Sequence, residues 1–384
     1  MNIALLGHNL LSPGGVSIGS AIFRTLPQIA PQHRFYISYP DDKRYYNIIN
    51  EIKELPNVVL KKFTSNSFFS RFSFEKDLSR FLENEKIDWC WWLGNMGFVF
   101  PKITRQSLLL HNAYYFNYPY KNYGFSPFAK KSFKVFLQKL LVKRTIYHCT
   151  TFYVQTLTLK QHFLETYPIN ERNVHLCPSG INFNQWETLP KQKDKRLSIL
   201  LDDQDAFKLL YISAGSVHKN HLKVIEMFSK FYSDLHGINC YFTVDDQENI
   251  ELVKEVNNRK LNEKIKFLGR IPFEQLPFFY MSSDANFFPS LLETVGIGLL
   301  EGMYWGLPTI ASDLDFAHEA CGDSACFFDP FSIKSMKNAI LKVKNDQKYR
   351  EELISKGKKY VKTNVRSWDD ILISVLDTEN ISHC

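Results

Sequence analysis

Short apolar runs alternate with amphipathic stretches along almost the whole chain. Asn2–Leu6, Arg34–Ser38, Trp89–Leu93, Ser107–Leu110, Phe152–Val154 and Val174–Leu176 are too short for helices and are rich in aliphatic and aromatic residues, so each reads as a buried strand. After the first of them, Leu11-Ser12-Pro13-Gly14-Gly15-Val16 is a loop that runs into a helix ending near Leu26. The turn Pro178-Ser179-Gly180-Ile181 closes this series. A polar, charge-rich stretch over 184–205, centred on Lys191-Gln192-Lys193-Asp194-Lys195-Arg196, then reads as a linker. A second series follows, with strands at Lys208–Ala214, Asn239–Val244, Ile265–Phe267, Ala285–Phe288 and Thr309–Ala311. Its helices are expected at His221–Tyr232, Phe273–Met281, Val295–Tyr304, Ser332–Lys344 and Gln347–Lys359, with a last helix at Ser367–Asp377. Strand and helix in alternation favour α/β architecture with parallel sheets. A chain of 384 residues exceeds the usual size of a single core, so the pattern divides into a first domain over 1–183, the linker 184–205, and a second domain over 206–366.

Composition narrows the classes. The hydrophobic fraction of 45% is enough for two cores. Seven cysteines, odd in number and without a CxxC or zinc-type spacing, fit a reduced, cytoplasmic setting. The opening Met-Asn-Ile-Ala-Leu-Leu-Gly lacks the charged segment and cleavage site of a signal peptide, and no apolar run approaches the ~20 residues of a membrane span. The formal charge is +7, unevenly placed: no acidic residue occurs between Asp88 and Glu165, where Lys102, Arg105, Lys121, Lys130, Lys131, Lys134, Lys139, Lys143, Arg144 and Lys160 lie. That asymmetry marks an anionic partner for the first half, and charge alone admits nucleic acid and anionic lipid alike.

The chemistry concentrates in Pro289-Ser290-Leu291-Leu292-Glu293-Thr294-Val295-Gly296-Ile297-Gly298-Leu299-Leu300-Glu301. A helix starting near Val295 leaves free backbone N–H groups that suit a phosphate. Glu293 then stands at the helix mouth and Glu301 roughly two turns in. A carboxylate accepts hydrogen bonds from both hydroxyls of a vicinal diol, each contributing about 1.5–3 kcal/mol. Phosphate-friendly amides beside two such carboxylates suggest a nucleotide-sugar pocket.

With Phe288-Pro289-Ser290 before it and Gly306-Leu307-Pro308-Thr309-Ile310-Ala311-Ser312 after it, this segment resembles the retaining glycosyltransferases of family 4. The resemblance is strong over about 208–344 and looser before that. It implies the GT-B fold, two Rossmann-like domains facing each other across a cleft, with a C-terminal helix, here 367–384, crossing back to the first. It also implies a nucleotide-diphosphate sugar as donor, with the donor-contacting turn made by Glu293, Thr294, Val295, Gly296 and Ile297, and Glu301 on the ribose.

Four further segments match that pattern more weakly. Gly14 and Gly15, after the first strand, allow close backbone approach to a phosphate or sugar, and the loop is not a GxGxxG fingerprint. Gly215 ends a strand and Lys219 follows it, where the resemblance implies a cation on the diphosphate that stabilises the departing charge. Many relatives carry an Arg directly after this glycine; here Ser216 stands there, so Lys219 acts alone or with Arg270. Leu268-Gly269-Arg270-Ile271 resembles the element that reads the base through backbone groups, which leaves UDP and GDP both open. His111, at the end of an apolar strand, occupies the position where relatives place a His near the transferred sugar; His8 is the weaker candidate of the same kind.

Retention requires a first-domain carboxylate nucleophile or same-face attack assisted by the leaving phosphate. The acid-free interval favours the second, with Glu293 positioning sugar hydroxyls. No Asp-x-Asp stands where a donor diphosphate needs a metal, since Asp313-Leu314-Asp315 falls after a later strand. Metal independence, and no other cofactor, is therefore expected. Finally, 126–144 places Phe128, Phe133, Phe136, Leu137, Leu140 and Leu141 near helical spacing among lysines, as in a helix that lies on anionic membrane. The reading is thus a cytoplasmic, peripheral enzyme moving a hexose to a glycan acceptor, lipid-linked, in cell-surface polysaccharide or lipopolysaccharide synthesis. The alternatives are an epimerase or hydrolase on the same fold, which needs first-domain acid/base carboxylates, and a non-catalytic basic binding protein, which leaves Lys219, Glu293 and Glu301 unused.

Overall fold

A computed structural model describes residues 1–64, 68–103, 105–116, 132–181, 190 and 192–380. The chain divides into two compact units, Met1–Ile181 with Arg366–Cys384, and Asn182–Val365. The first is built from β1 (Asn2–Leu6), α1 (Pro13–Ile29), β2 (Arg34–Pro40), α2 (Tyr46–Ile52), β3 (Val58–Phe63), α3 (Phe68–Asn84), β4 (Trp89–Trp92), β5 (Gln106–Leu110), α4 (Ser132–Ile146), β6 (Thr151–Val154), α5 (Leu157–Thr166) and β7 (Val174–Leu176). The second holds α6 (Ser198–Leu201), β8 (Phe207–Tyr211), α7 (His221–Lys230), β9 (Ile238–Phe242), α8 (Ile250–Asn258), β10 (Ile265–Phe267), α9 (Leu276–Met281) and β11 (Ala285–Phe288). It continues through α10 (Ile297–Tyr304), β12 (Thr309–Ser312), α11 (Asp315–Cys321), β13 (Ala325–Phe328), α12 (Ile333–Asn345) and α13 (Gln347–Asn364). The last helix, α14 (Trp368–Thr378), returns to the first unit.

Both sheets are parallel, in the orders β3-β2-β1-β4-β5-β6-β7 and β10-β9-β8-β11-β12-β13. In each, the strand order reverses at one place, between β1 and β4 and between β8 and β11. Parallel sheets covered on both faces need continuous apolar strands, and the central strands are buried throughout. In the first unit Ile3, Leu5, Trp89, Trp91, Leu109 and Tyr153 form one core with α1 and with Trp368, Ile371, Leu372 and Val375 of α14. Burying side chains of that size contributes about 1.5–3 kcal/mol each as an upper bound, so α14 is a structural part of this unit. The buried Glu379 just beyond α14 accepts hydrogen bonds from Ser107 and Tyr153.

Two differences from the sequence pattern have physical reasons. The stretch 184–205 is not all linker, because Leu197 and Leu200 are buried in the second unit's core with Leu210, Tyr241 and Tyr280. Its charges mask those two apolar residues. The pattern also leaves out β3, which ranks among the more exposed strands and includes Lys61 and Lys62, and the helices α2, α3, α5, α8 and α11 with the final strand β13.

Candidate functional site

In open parallel sheets the loops at the carboxyl ends of the strands flanking the order reversal form the ligand crevice. In the second unit those are the loops after β8 and β11, and they hold Gly215, Lys219, Glu293 and Thr294–Gly296. They are stitched together: Leu291 N–H donates to His218 O (2.7 Å), and Tyr211 OH donates to Lys219 O (2.9 Å). Lys219 Nζ pairs with Glu293 Oε1, which also accepts from Ser290 Oγ (2.6 Å). Both side chains of the pair are mostly covered, at 16% and 15% exposure. Lys219 Nζ lies 5.7 Å from the Phe288 ring centroid, so the cation is held over an apolar floor. The Cβ of any residue larger than glycine at Gly215 would lie 1.8 Å from Asn249 Oδ1, which packs that loop against the one after β9.

The helix after β11 begins at Ile297, not at Val295. Gly296 caps it in the left-handed region (φ 70°), a conformation that ends helical continuity on its N-terminal side and leaves Thr294 and Val295 in the turn. Glu301 is consequently the fifth helical residue, a little over one turn in rather than two. It is 6% exposed and accepts a hydrogen bond from Tyr280 OH (2.8 Å). Burial raises its pKa to about 7, against the Tyr280 hydrogen bond, which lowers it. Asn286 of β11 supports α10 from beneath by donating to Gly298 O (2.9 Å).

Arg270 is exposed and ion-paired with Glu248. Ile271 packs against the second unit's core together with Trp305. The turn Leu268–Arg270 is held by Arg196, whose Nη1 donates to Leu268 O (3.1 Å) and Arg270 O (2.9 Å), while Asp194 holds the guanidinium from the other side. Arg196 was hidden in the charge-rich stretch; the Asp-x-Arg spacing was its only signal.

In the first unit the corresponding loops follow β1 and β4, with His111 after β5. Ser12 caps α1, its Oγ accepting from Gly15 N–H (3.1 Å), with Pro13 in the first turn. A Cβ on Gly15 would lie 3.6 Å from His111 Cε1, whereas one on Gly14 meets nothing within 4 Å. His111 is partly buried; burial lowers its pKa to about 4, so the ring is neutral at pH 7. Its backbone N–H donates to Asn95 Oδ1 (2.8 Å), and Nε2 lies 2.9 Å from Asn95 Nδ2 and 3.0 Å from Leu93 O. His8 is wholly buried, with Nδ1 3.0 Å from Ser38 Oγ and Nε2 3.0 Å from Glu75 Oε1, and it presents nothing to a ligand. Glu75 and Asn95 were missed because neither carries a motif in the sequence.

Among the described residues no three His, Cys, Asp or Glu are placed to hold a metal ion. Asp313 instead meets His318 Nε2 at 2.6 Å on the surface. No helix among them is long and apolar enough to cross a membrane. Of the basic segment 126–144, positions 126–131 lie outside the described residues. Phe136, Leu137 and Leu140 of α4 are 56%, 44% and 48% exposed, while Val142, Thr145 and Ile146 are buried. Lys143 and Arg144 are exposed on the last turn.

Two parallel α/β units, each with a sheet whose strand order reverses once, are those of the GT-B fold. Residues 192–360 match the family of glycosyl transferases group 1. The chain is 26% identical over 240 residues to the O-antigen chain mannosyltransferase RfbU of Salmonella typhimurium, covering 62% of this chain and 61% of that protein. This match therefore spans less than two thirds of that relative. Among solved structures, HepE of Anabaena in complex with UDP and glucose superimposes with a TM-score of 0.72 at 16% identity, covering 99% of both chains. WaaG, a glycosyltransferase involved in lipopolysaccharide biosynthesis, superimposes with a TM-score of 0.69 at 15% identity over the full length of both.

Proposed function

We propose that this chain is a retaining, metal-independent glycosyltransferase that moves a hexose from a nucleotide-diphosphate sugar to a glycan acceptor, lipid-linked, in cell-surface polysaccharide or lipopolysaccharide synthesis. The observation that carries the reading is the Lys219–Glu293 pair at the order reversal of the second sheet, with Glu293 eight residues before the buried Glu301. The comparison with an O-antigen mannosyltransferase and with a lipopolysaccharide glycosyltransferase supports the substrate class.

Without ligand, Lys219 and Glu293 neutralise each other. A diphosphate recruits Lys219, and the free N–H groups of Ile297 and Gly298 add to its site. Glu293 is then released to accept from sugar hydroxyls, and Glu301, ionised, accepts from the ribose diol. The turn Gly269-Arg270-Ile271 meets the base through its backbone. In the reaction, the bond from the anomeric carbon to the diphosphate oxygen breaks and the acceptor oxygen bonds the same face of that carbon. The acceptor proton passes to the departing phosphate, whose developing charge Lys219 stabilises. Glu75, the buried carboxylate behind the loop after β4, is not available for a covalent intermediate: both its oxygens are occupied, Oε1 by His8 and Arg71, Oε2 by the N–H groups of Phe98 and Val99. That favours same-face attack. His111 and the first turn of α1 at Gly14 and Gly15 are assigned to the transferred sugar and the acceptor. The exposed Phe136, Leu137 and Leu140 beside Lys143 suit an anionic membrane surface on the cytoplasmic side.

The test is a titration of UDP and GDP, with and without EDTA, on the wild type and Glu301→Ala. Micromolar binding of one nucleotide, indifferent to EDTA and lost in the variant, is the expected result. Binding of neither nucleotide, or equal binding by the variant, would sink the assignment.

A further inference from the structure

We propose that Asn95 is a positioning residue for His111, and that segment 93–99 is a fixed bracket that holds this ring at the ligand edge of the first unit's sheet. The inference rests on the glycosyltransferase reading and extends it to residues outside the recognised motifs.

The bracket is held from three other elements. Asn9, from the loop after β1, donates through Nδ2 to Gly94 O (3.0 Å) and Met96 O (3.1 Å). From α3, Arg71 Nη2 donates to Met96 O (2.7 Å) and its guanidinium lies 4.4 Å from the Phe98 ring centroid. Glu75, also on α3, accepts from the N–H groups of Phe98 and Val99. From α4, Thr145 Oγ1 accepts from Gly97 N–H (3.0 Å). Burial pushes the Glu75 carboxyl up, and the hydrogen bonds from His8 and Phe98 with the charge of Arg71 more than offset it, leaving an ionised carboxylate. Placing a charged group at 1% exposure to fix two loop amides is costly unless the loop's position matters.

What that loop presents is Asn95. It is 5% exposed and left-handed (φ 65°), a conformation an asparagine side chain tolerates better than most. Its amide meets one residue twice, the backbone N–H and the ring of His111, so both the Cα position and the ring orientation are set together. Nε2 is turned inward, accepting from Asn95 Nδ2 in the tautomer protonated at Nδ1 and donating to Leu93 O in the other. The Cε1 edge is turned toward Gly15, where a Cβ would come within 3.6 Å. Packing alone requires none of this directionality.

The test uses Asn95→Gly, which keeps the left-handed backbone and deletes the amide, and Asn95→Asp, which keeps an oxygen for His111 N–H. Hydrolysis of UDP-glucose and GDP-mannose is followed alongside the ring nitrogen resonances of the histidine-labelled full chain. Expected for Asn95→Gly is a kcat lower by about ten- to hundredfold with donor KM within about threefold, shifted His111 ring resonances and a Tm lowered by only a few degrees. Asn95→Asp retains more of kcat than Asn95→Gly. A wild-type kcat and unmoved His111 resonances in Asn95→Gly would overturn the proposal, as would equal loss of Tm and kcat in both variants. If the wild type turns over neither sugar nucleotide, the glycosyltransferase reading is in question, and the resonances still decide whether Asn95 orients the ring.

Discussion

The two units solve the same geometric problem with opposite chemistry. Each has a parallel sheet whose order reverses once, and each places some of its candidate residues on the loops at that reversal and the rest on neighbouring elements. In the second unit the loops carry working charges: Lys219 against Glu293, and Glu301 with Tyr280 as its hydrogen-bond donor. In the first unit the charges are turned inward, Glu75 serving a loop, and the ligand edge is left to a neutral histidine and two glycines. On the proposed function, a diphosphate calls for fixed opposite charge and a ribose diol for a carboxylate acceptor, which the second unit's loops offer; the first unit's loops offer neutral groups instead.

The largest effect expected is on the charged half. Lys219→Ala removes the cation at the leaving diphosphate and lowers turnover of a sugar nucleotide by about 10²–10³-fold. Gly215→Ala tests the same half without touching charge. Its Cβ would meet Asn249 Oδ1 at 1.8 Å, so the loop bearing Lys219 shifts or the unit loses about 1–3 kcal/mol of stability, read by denaturant unfolding. Equal turnover and stability in that variant would mean the loop after β9 does not set the site.

The next effect is in pH. The Glu301 pKa is raised to about 7 from an ordinary 4.5 by burial. The folded free protein therefore keeps a proton that the unfolded chain has lost between those values. Its stability contribution declines as pH rises from about 4.5 to about 7 and is level above. Nucleotide binding runs the other way, because the ribose needs the ionised form: affinity falls about tenfold from pH 8 to pH 6. Glu301→Gln should flatten both slopes. The smallest effect sharpens the first unit's part: Lys143→Glu on α4 weakens sedimentation with phosphatidylglycerol vesicles by about fivefold or more and leaves binding to neutral phosphatidylcholine unchanged.

The same contrast decides what was legible in the sequence. Glu293, Glu301 and Lys219 were picked out by the motif spacing of the resemblance, and the parallel α/β architecture followed from the buried apolar strands around them. Asn95 and Glu75 act through backbone amides far along the chain, Phe98 N–H lying 23 residues from Glu75, and nothing in their neighbourhood marks them. Leu197 and Leu200 were lost among lysines. The start of α10 was misplaced because Thr294 and Val295 continue an apolar pattern that only the left-handed Gly296 interrupts.

The most direct test of the account is the anomeric course of donor turnover. UDP-glucose and GDP-mannose are incubated with the wild type and Lys219→Ala, and the released or transferred sugar is followed by proton NMR before it mutarotates. The account predicts an α-configured sugar first, from the α-linked donor, with turnover suppressed in Lys219→Ala and unaffected by EDTA. A β-configured first product, or undiminished turnover without the Lys219 cation, would contradict it.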